Sequence, residues 1–148
     1  MTNLSIKSLI NKILIIIFGL ILPILLIIIV RFTGYSEIVE EIAKAIIVLT
    51  LIMNIPSLRG KMLFGILFGF LFGLSENMFY LRNIFELGDF NIFLKRFIWT
   101  LPMHIITVLI LTLSSSAKKW LIFFGLILAI ILHILFNNLS TDFLNNLQ

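Results

Sequence analysis

The chain contains no cysteine, so disulfide bonds and thiolate chemistry are excluded. It is also poor in charge: Asp, Glu, Lys and Arg make up 12% of its 148 residues, against about a quarter in soluble domains. The net charge of +4 is scattered over the ends of apolar segments, with no basic run and no aromatic interleaving, which argues against a nucleic-acid partner. Only three prolines interrupt it, and no soluble domain, linker or internal repeat is evident. What the chain does have is hydrocarbon. Hydrophobic residues account for 61% of it and the mean hydropathy is +1.20, which makes it an integral membrane protein whose first partner is the lipid bilayer.

The apolar segments predict an all-α, polytopic membrane helical bundle of about five transmembrane helices, at roughly 10–30, 36–53, 62–81, 93–113 and 120–139, in a single domain spanning 1–148. The first segment follows Lys7 and Lys12, runs uncharged from Ile13 to Val30, and lacks a small-residue cleavage site, so it reads as a retained anchor rather than a signal peptide. Residues 82–92 read as a mixed loop along the interface, 114–119 as a polar turn and 140–148 as a polar tail.

Against this background the stretch Ser36-Glu37-Ile38-Val39-Glu40-Glu41-Ile42-Ala43-Lys44 stands out. Each ionised side chain at the centre of a bilayer costs roughly 2.5 to 3.5 kcal/mol on insertion scales, so such a cluster marks a functional site unless it neutralises itself. At 100° per residue, Glu37, Glu40, Glu41 and Lys44 share one helix face. Three other segments carry polar residues to match. The third has Gly65, Gly69 and Gly73 at four-residue spacing, a pattern that lets helix backbones approach closely, and the same stripe leads to Glu76 and Asn77. The fourth carries Arg96, Pro102 and His104; the fifth carries His133 and Asn137 one turn apart.

Five alternating crossings bring these residues to one side. Glu41 is about 8 Å from its helix start, Glu76 about 9 Å from its helix end, His104 about 12 Å past Arg96 and His133 about 10 Å before Ser140. Four helices therefore deliver ionisable groups to one layer, a coincidence that independent packing residues would not produce. Lys7, Lys12, Arg59, Lys61, Lys118 and Lys119 outnumber Arg31, Arg82, Lys95 and Arg96. The positive-inside rule then puts the N-terminus in the cytoplasm, the C-terminus outside, and the polar layer in the outer leaflet. Taken one at a time, a lone membrane histidine or asparagine can be a packing hydrogen bond, and Phe72 reads as ordinary core.

A carboxylate in such a layer can serve as a general base, and an imidazole can exchange a proton or donate to an oxyanion, chemistry that suits peptide-bond hydrolysis within the membrane. Glu and His are also zinc ligands, and Glu41, Glu76, His104 and His133 are the candidate metal set, although no HExxH-type spacing decides between the two readings.

Glu40-Glu41-x-x-Lys44, Phe72-x-x-x-Glu76-Asn77, Arg96 followed by His104, and His133-x-x-x-Asn137, in that order on successive helices, resemble the PrsW family of intramembrane proteases. That family is similar to the CAAX prenyl endopeptidases, the bacteriocin-processing membrane proteases and the APH subunit of gamma-secretase. The resemblance implies that Glu41 with Glu40 activates water, that Glu76, His104 and His133 complete the site, and that Asn137 helps to bind the oxyanion, with Lys44, Asn77 and Arg96 in support. It also implies a membrane-anchored protein substrate of the anti-sigma-factor kind, cut near the extracytoplasmic face of the plasma membrane, with zinc as the possible cofactor. The chain departs from the family pattern in having five helices where members usually have more, and Asn137 where Asp is common. Two other functions fit the composition: a non-catalytic APH-like scaffold with a buried polar core, and a small proton- or cation-coupled carrier. The carrier is disfavoured because the inner halves of the helices are almost wholly apolar.

Overall fold

A computed structural model describes residues 3–87 and 90–145. Among these residues the chain forms five α-helices and no strand: α1 (Asn3–Thr33), α2 (Ser36–Thr50), α3 (Leu58–Leu87), α4 (Phe90–Ala117) and α5 (Ile122–Asn145). Short 3-10 helices at Ile52–Asn54 and Lys119–Leu121 link α2 to α3 and α4 to α5. The result is a membrane helical bundle.

Four stretches are long and apolar enough to cross a bilayer: Ser8–Thr33, Leu58–Phe79, Leu94–Ala117 and Lys119–Leu139. The remaining helix, α2, differs from the expected span in length and charge. It has 15 residues, about 22 Å at 1.5 Å per residue, short of the ~30 Å of hydrocarbon. It also carries Glu37, Glu40, Glu41 and Lys44. Instead of continuing to Met53, it ends at Thr50 with Leu51 as its C-cap, and a 3-10 turn followed by extended Ile55 ahead of Pro56 completes the return.

Other boundaries also shift. α3 begins at Leu58, taking Arg59-Gly60-Lys61 into its first turn, and runs beyond Leu81 to Leu87, because no Gly or Pro interrupts it before Gly88. α4 extends through the serines at 114–116 to Ala117 and α5 continues to Asn145, so much of the expected turn and tail is helical. Gly88 and Asp89 of the expected loop, and residues 146–148 of the tail, lie outside the described residues.

The helices alternate in direction. α1 turns into α2 at Gly34, whose φ of +74° is the left-handed conformation that glycine adopts without strain and whose N–H closes on Val30 O at 2.8 Å. α3 then runs parallel to α1: Gly19 sits against Phe68 and Leu71, and Ser75 Oγ donates to Leu20 O at 2.6 Å. α4 returns against α3, with Gly65 opposite Val108 and Thr112, Gly69 opposite His104 and Ile105, and Gly73 opposite Leu101 and His104. α5 packs against α4, where Gly125 meets Ser114. Ile15, Val48, Ile52, Phe68, Phe72, Val108, Leu111 and Ala129 are fully buried where the helices meet, while other isoleucines of α1, Ile24 and Ile28 among them, are exposed to the lipid side.

Candidate active site

The glycine stripe of α3 determines how close α4 can come. A Cβ at position 69 would lie 2.7 Å from His104 O and 2.8 Å from Ile105 Cα, and one at position 73 would lie 2.8 Å from His104 Cδ2. Glycine at both positions lets the His104 backbone lie directly on α3. This carries the His104 ring to Glu76, whose Oε2 meets His104 Nε2 in a short contact. Arg96, two turns earlier on α4, reaches Glu76 Oε1 at 3.5 Å.

α2 enters from the other side with its charged face inward. Lys44 and Glu41 are completely buried. Lys44 Nζ lies 2.6 Å from Glu41 Oε1 and 2.7 Å from His104 Nδ1, and 4.6 Å from the centroid of the Phe72 ring. His133 of α5 is held to Glu41 Oε1 at 2.8 Å through Nδ1, and its ring stands perpendicular to that of His104 at 5.5 Å. The result is a connected chain running His133, Glu41, Lys44, His104, Glu76, Arg96, drawn from α2, α3, α4 and α5, buried from His133 to His104 and partly buried at Glu76 and Arg96. Its members depend on one another, since deleting one partner of a buried ion pair costs about 3–5 kcal/mol. Two carboxylate oxygens in the layer stay without a hydrogen-bond partner among the described residues, Oε2 of Glu40 and Oε2 of Glu41, both buried, as does the buried Oδ1 of Asn77 beside them.

Glu41, Glu76, His104, His133, Lys44 and Arg96 of the sequence reading thus meet in space. Asn77 is buried, but its amide turns back to Gly73 O at 2.8 Å within α3. Asn137 donates to Glu37 Oε1 at 2.8 Å, at the edge of the layer. Glu37, placed by its spacing on the charged face, and Phe72, read as core, were not assigned to the site, and both border it. Glu37 shares the helix face of Glu40 and Glu41, and Phe72 lies one turn before Glu76, so both signals were in the spacing. Phe72 is core, fully buried, and also forms the aromatic surface beneath Lys44 and beside His104, with ring centroids 5.1 Å apart.

Ligand atoms of Glu40, Glu76 and His104 all lie within 4.8 Å of one another, and Glu40 contributes one of the unpartnered buried oxygens. Two carboxylate oxygens and an imidazole nitrogen suit a divalent cation such as zinc, so these residues fit. The set differs from the one drawn from sequence: Glu40 takes the place of Glu41, while His133 and Glu41 are engaged with each other.

The family model for PrsW family intramembrane metalloproteases matches residues 6–148. No curated protein and no solved structure matches the chain. With all but the first five residues covered, the chain belongs to the PrsW family of intramembrane metalloproteases.

Proposed function

We propose, from that membership, that the Glu/His layer is the site at which this protease hydrolyses a peptide bond of a membrane-anchored protein, of the anti-sigma-factor kind, near the extracytoplasmic face of the plasma membrane. The observation that carries the proposal is the convergence of Glu40, Glu41, Glu76, His104 and His133, from four helices, on one buried layer that holds two unpartnered carboxylate oxygens. Glu40 and Glu41 hold and activate the attacking water through those oxygens. His104 and His133 sit within reach of the same carboxylates and handle the proton. Arg96, beside Glu76, and the Lys44 ammonium supply the positive charge that steadies the carboxylates and favours a developing oxyanion. Asn137 and Asn77 frame the layer. Should the resident metal be zinc, Glu40, Glu76 and His104 would hold it, and it would polarise the scissile carbonyl and acidify a bound water.

The orientation proposed follows the lysine and arginine distribution, with the N-terminus cytoplasmic and the layer in the outer leaflet. Membranes from cells expressing either the wild-type chain or Glu41→Gln at matched levels, compared by enrichment of new protein N-termini, test the site and find the substrate together. New termini near one end of a membrane span, present only with the wild type, are expected. Identical profiles at equal levels of folded protein would remove the catalytic role of Glu41 and favour a scaffold in which the layer only joins helices.

A further inference from the structure

We propose that the end of the bundle remote from the Glu/His layer is a docking surface for anionic phospholipid headgroups, built from Lys12, Arg59, Lys61, Lys118 and Lys119. These cations are scattered along the chain, and the fold gathers them. Lys12 of α1 lies over the ring of Phe64 of α3, its Nζ 5.8 Å from the centroid. Arg59 and Lys61 stand in the first turn of α3, just ahead of Phe64. Gly65 packs against Thr112, so the start of α3 adjoins the end of α4, from which Lys118 and Lys119 follow. The first helix, the third helix and the connection from α4 to α5 therefore bring five positive charges to one end.

That charge has no counterpart among the described residues. The sequence has seven acidic residues, and none falls within residues 1–36, 42–75 or 90–141, the stretches that supply this end. None of the five cations pairs with a carboxylate among the described residues, whereas Lys44 and Arg96, in the polar layer, are paired with Glu41 and Glu76. Arg59, Lys118 and Lys119 are exposed, and Lys12 and Lys61 are half-buried. Beside them Leu58, Leu63, Trp120, Phe123 and Phe124 are exposed as well. Apolar and aromatic side chains next to cations are what a membrane protein presents where headgroups give way to acyl chains.

Like charges held at one end repel one another unless something of opposite sign comes between them. At a membrane surface the headgroup phosphate is the nearest candidate, and its oxygens accept charge-assisted hydrogen bonds from Lys and Arg. A zwitterionic headgroup carries its own ammonium and brings no net charge. Phosphatidylglycerol carries the phosphate alone. Attraction to an anionic surface rises by a factor of about five for each Lys or Arg beside it, so this end concentrates anionic lipid over zwitterionic lipid. The opposite end, where the carboxylates are, has no such preference.

The two tryptophans of the chain mark its two ends. Trp120 follows Lys119, Trp99 lies on α4 three residues past Arg96, and both are more than half exposed. At 1.5 Å per residue, about 27 Å of helix separates Trp99 from Ala117, so the rings report on opposite faces of the bilayer. Full-length Trp99→Phe and Trp120→Phe variants, each with one ring left, are reconstituted in phosphatidylcholine vesicles with rising fractions of brominated phosphatidylglycerol or brominated phosphatidylcholine, and bromine quenching gives the lipid preference at each ring. A preference for phosphatidylglycerol of at least about fivefold is expected at Trp120, and none at Trp99. Replacing Arg59, Lys118 and Lys119 together by Gln in the Trp99→Phe chain should abolish it. Equal preferences at the two rings, or a preference at Trp120 that survives the triple replacement, would overturn the proposal. So would displacement of the brominated lipid from Trp120 by a short oligoglutamate or by free glycerol phosphate at the lipid's concentration, since the surface would then take an acidic peptide or any phosphate. If the triple variant does not fold, the two single-tryptophan chains, with every cation in place, decide alone. None of these readings uses cleavage, so they stand or fall apart from the proposed function.

Discussion

Two seams of the bundle are built in opposite ways. Between α3 and α4 the backbones are in direct contact, and each of the three glycines along the seam faces an atom of α4 that a side chain would strike or crowd. Between α1 and α2 the contact is loose: Phe18, Leu22 and Leu26 meet Ala43, Ile47 and Leu51 around an apolar cavity of about 390 Å³. The tight seam carries His104 and Glu76, whereas the described residues that line the loose one's cavity include no ionisable group. Precision is concentrated where charged atoms must meet within hydrogen-bond distance. Elsewhere hydrocarbon of about the right volume is enough.

Substitutions graded along the two seams sharpen that contrast. Gly69→Ala should have the largest effect on stability, since the new methyl group overlaps the backbone at His104 and Ile105, which cannot turn aside. A loss of about 1–3 kcal/mol, read as a lowered thermal midpoint in detergent, is expected together with loss of cleavage. Gly73→Ala meets the His104 ring at 2.8 Å, a side chain that can move. It should leave the thermal midpoint nearly unchanged yet lower cleavage by about tenfold to a hundredfold, the usual effect of misplacing a reacting group by about an ångström. Gly65→Ala is crowded by Thr112 Oγ1 at 3.1 Å, with Val108 Cγ1 in ordinary contact at 3.6 Å, away from the layer, and should cost under about 1 kcal/mol with cleavage retained. At the loose seam, Leu22→Ala enlarges a space that is already open. It should cost less than the roughly 2–5 kcal/mol typical of a sealed core site and leave cleavage unchanged. A Leu22→Ala variant as damaging as Gly69→Ala would abolish the distinction between the seams.

Much of this was legible in the sequence, because periodicity and topology are local properties added together. The glycine stripe announced a close approach, and counting crossings brought Glu41, Glu76, His104 and His133 to one end, where they form one hydrogen-bonded chain. Pairings across the bundle were not legible. That Lys44 bonds a ring 60 residues away as well as Glu41, and that Asn137 takes Glu37 100 residues away, depends on how α2, α4 and α5 are rotated about their axes. Nor does helical spacing distinguish Glu40 from Glu41 as the carboxylate nearer Glu76 and His104, since both lie on the same broad face. The break at Leu51 escaped notice because Ile, Leu and Met suit an α-helix and a 3-10 turn about equally well.

The shortness of α2 also bears on how the protein is made. A ribosome delivers α2 to the membrane long before the residues that complete its pairing: the second partner of Lys44 lies 60 positions downstream, and the second partner of Glu41 lies 92 downstream. Too short and too charged to settle in lipid alone, the segment has no complete set of partners until α5 has been synthesised. Closing the polar layer therefore waits for α5, and a product truncated before His133 cannot hold an assembled site.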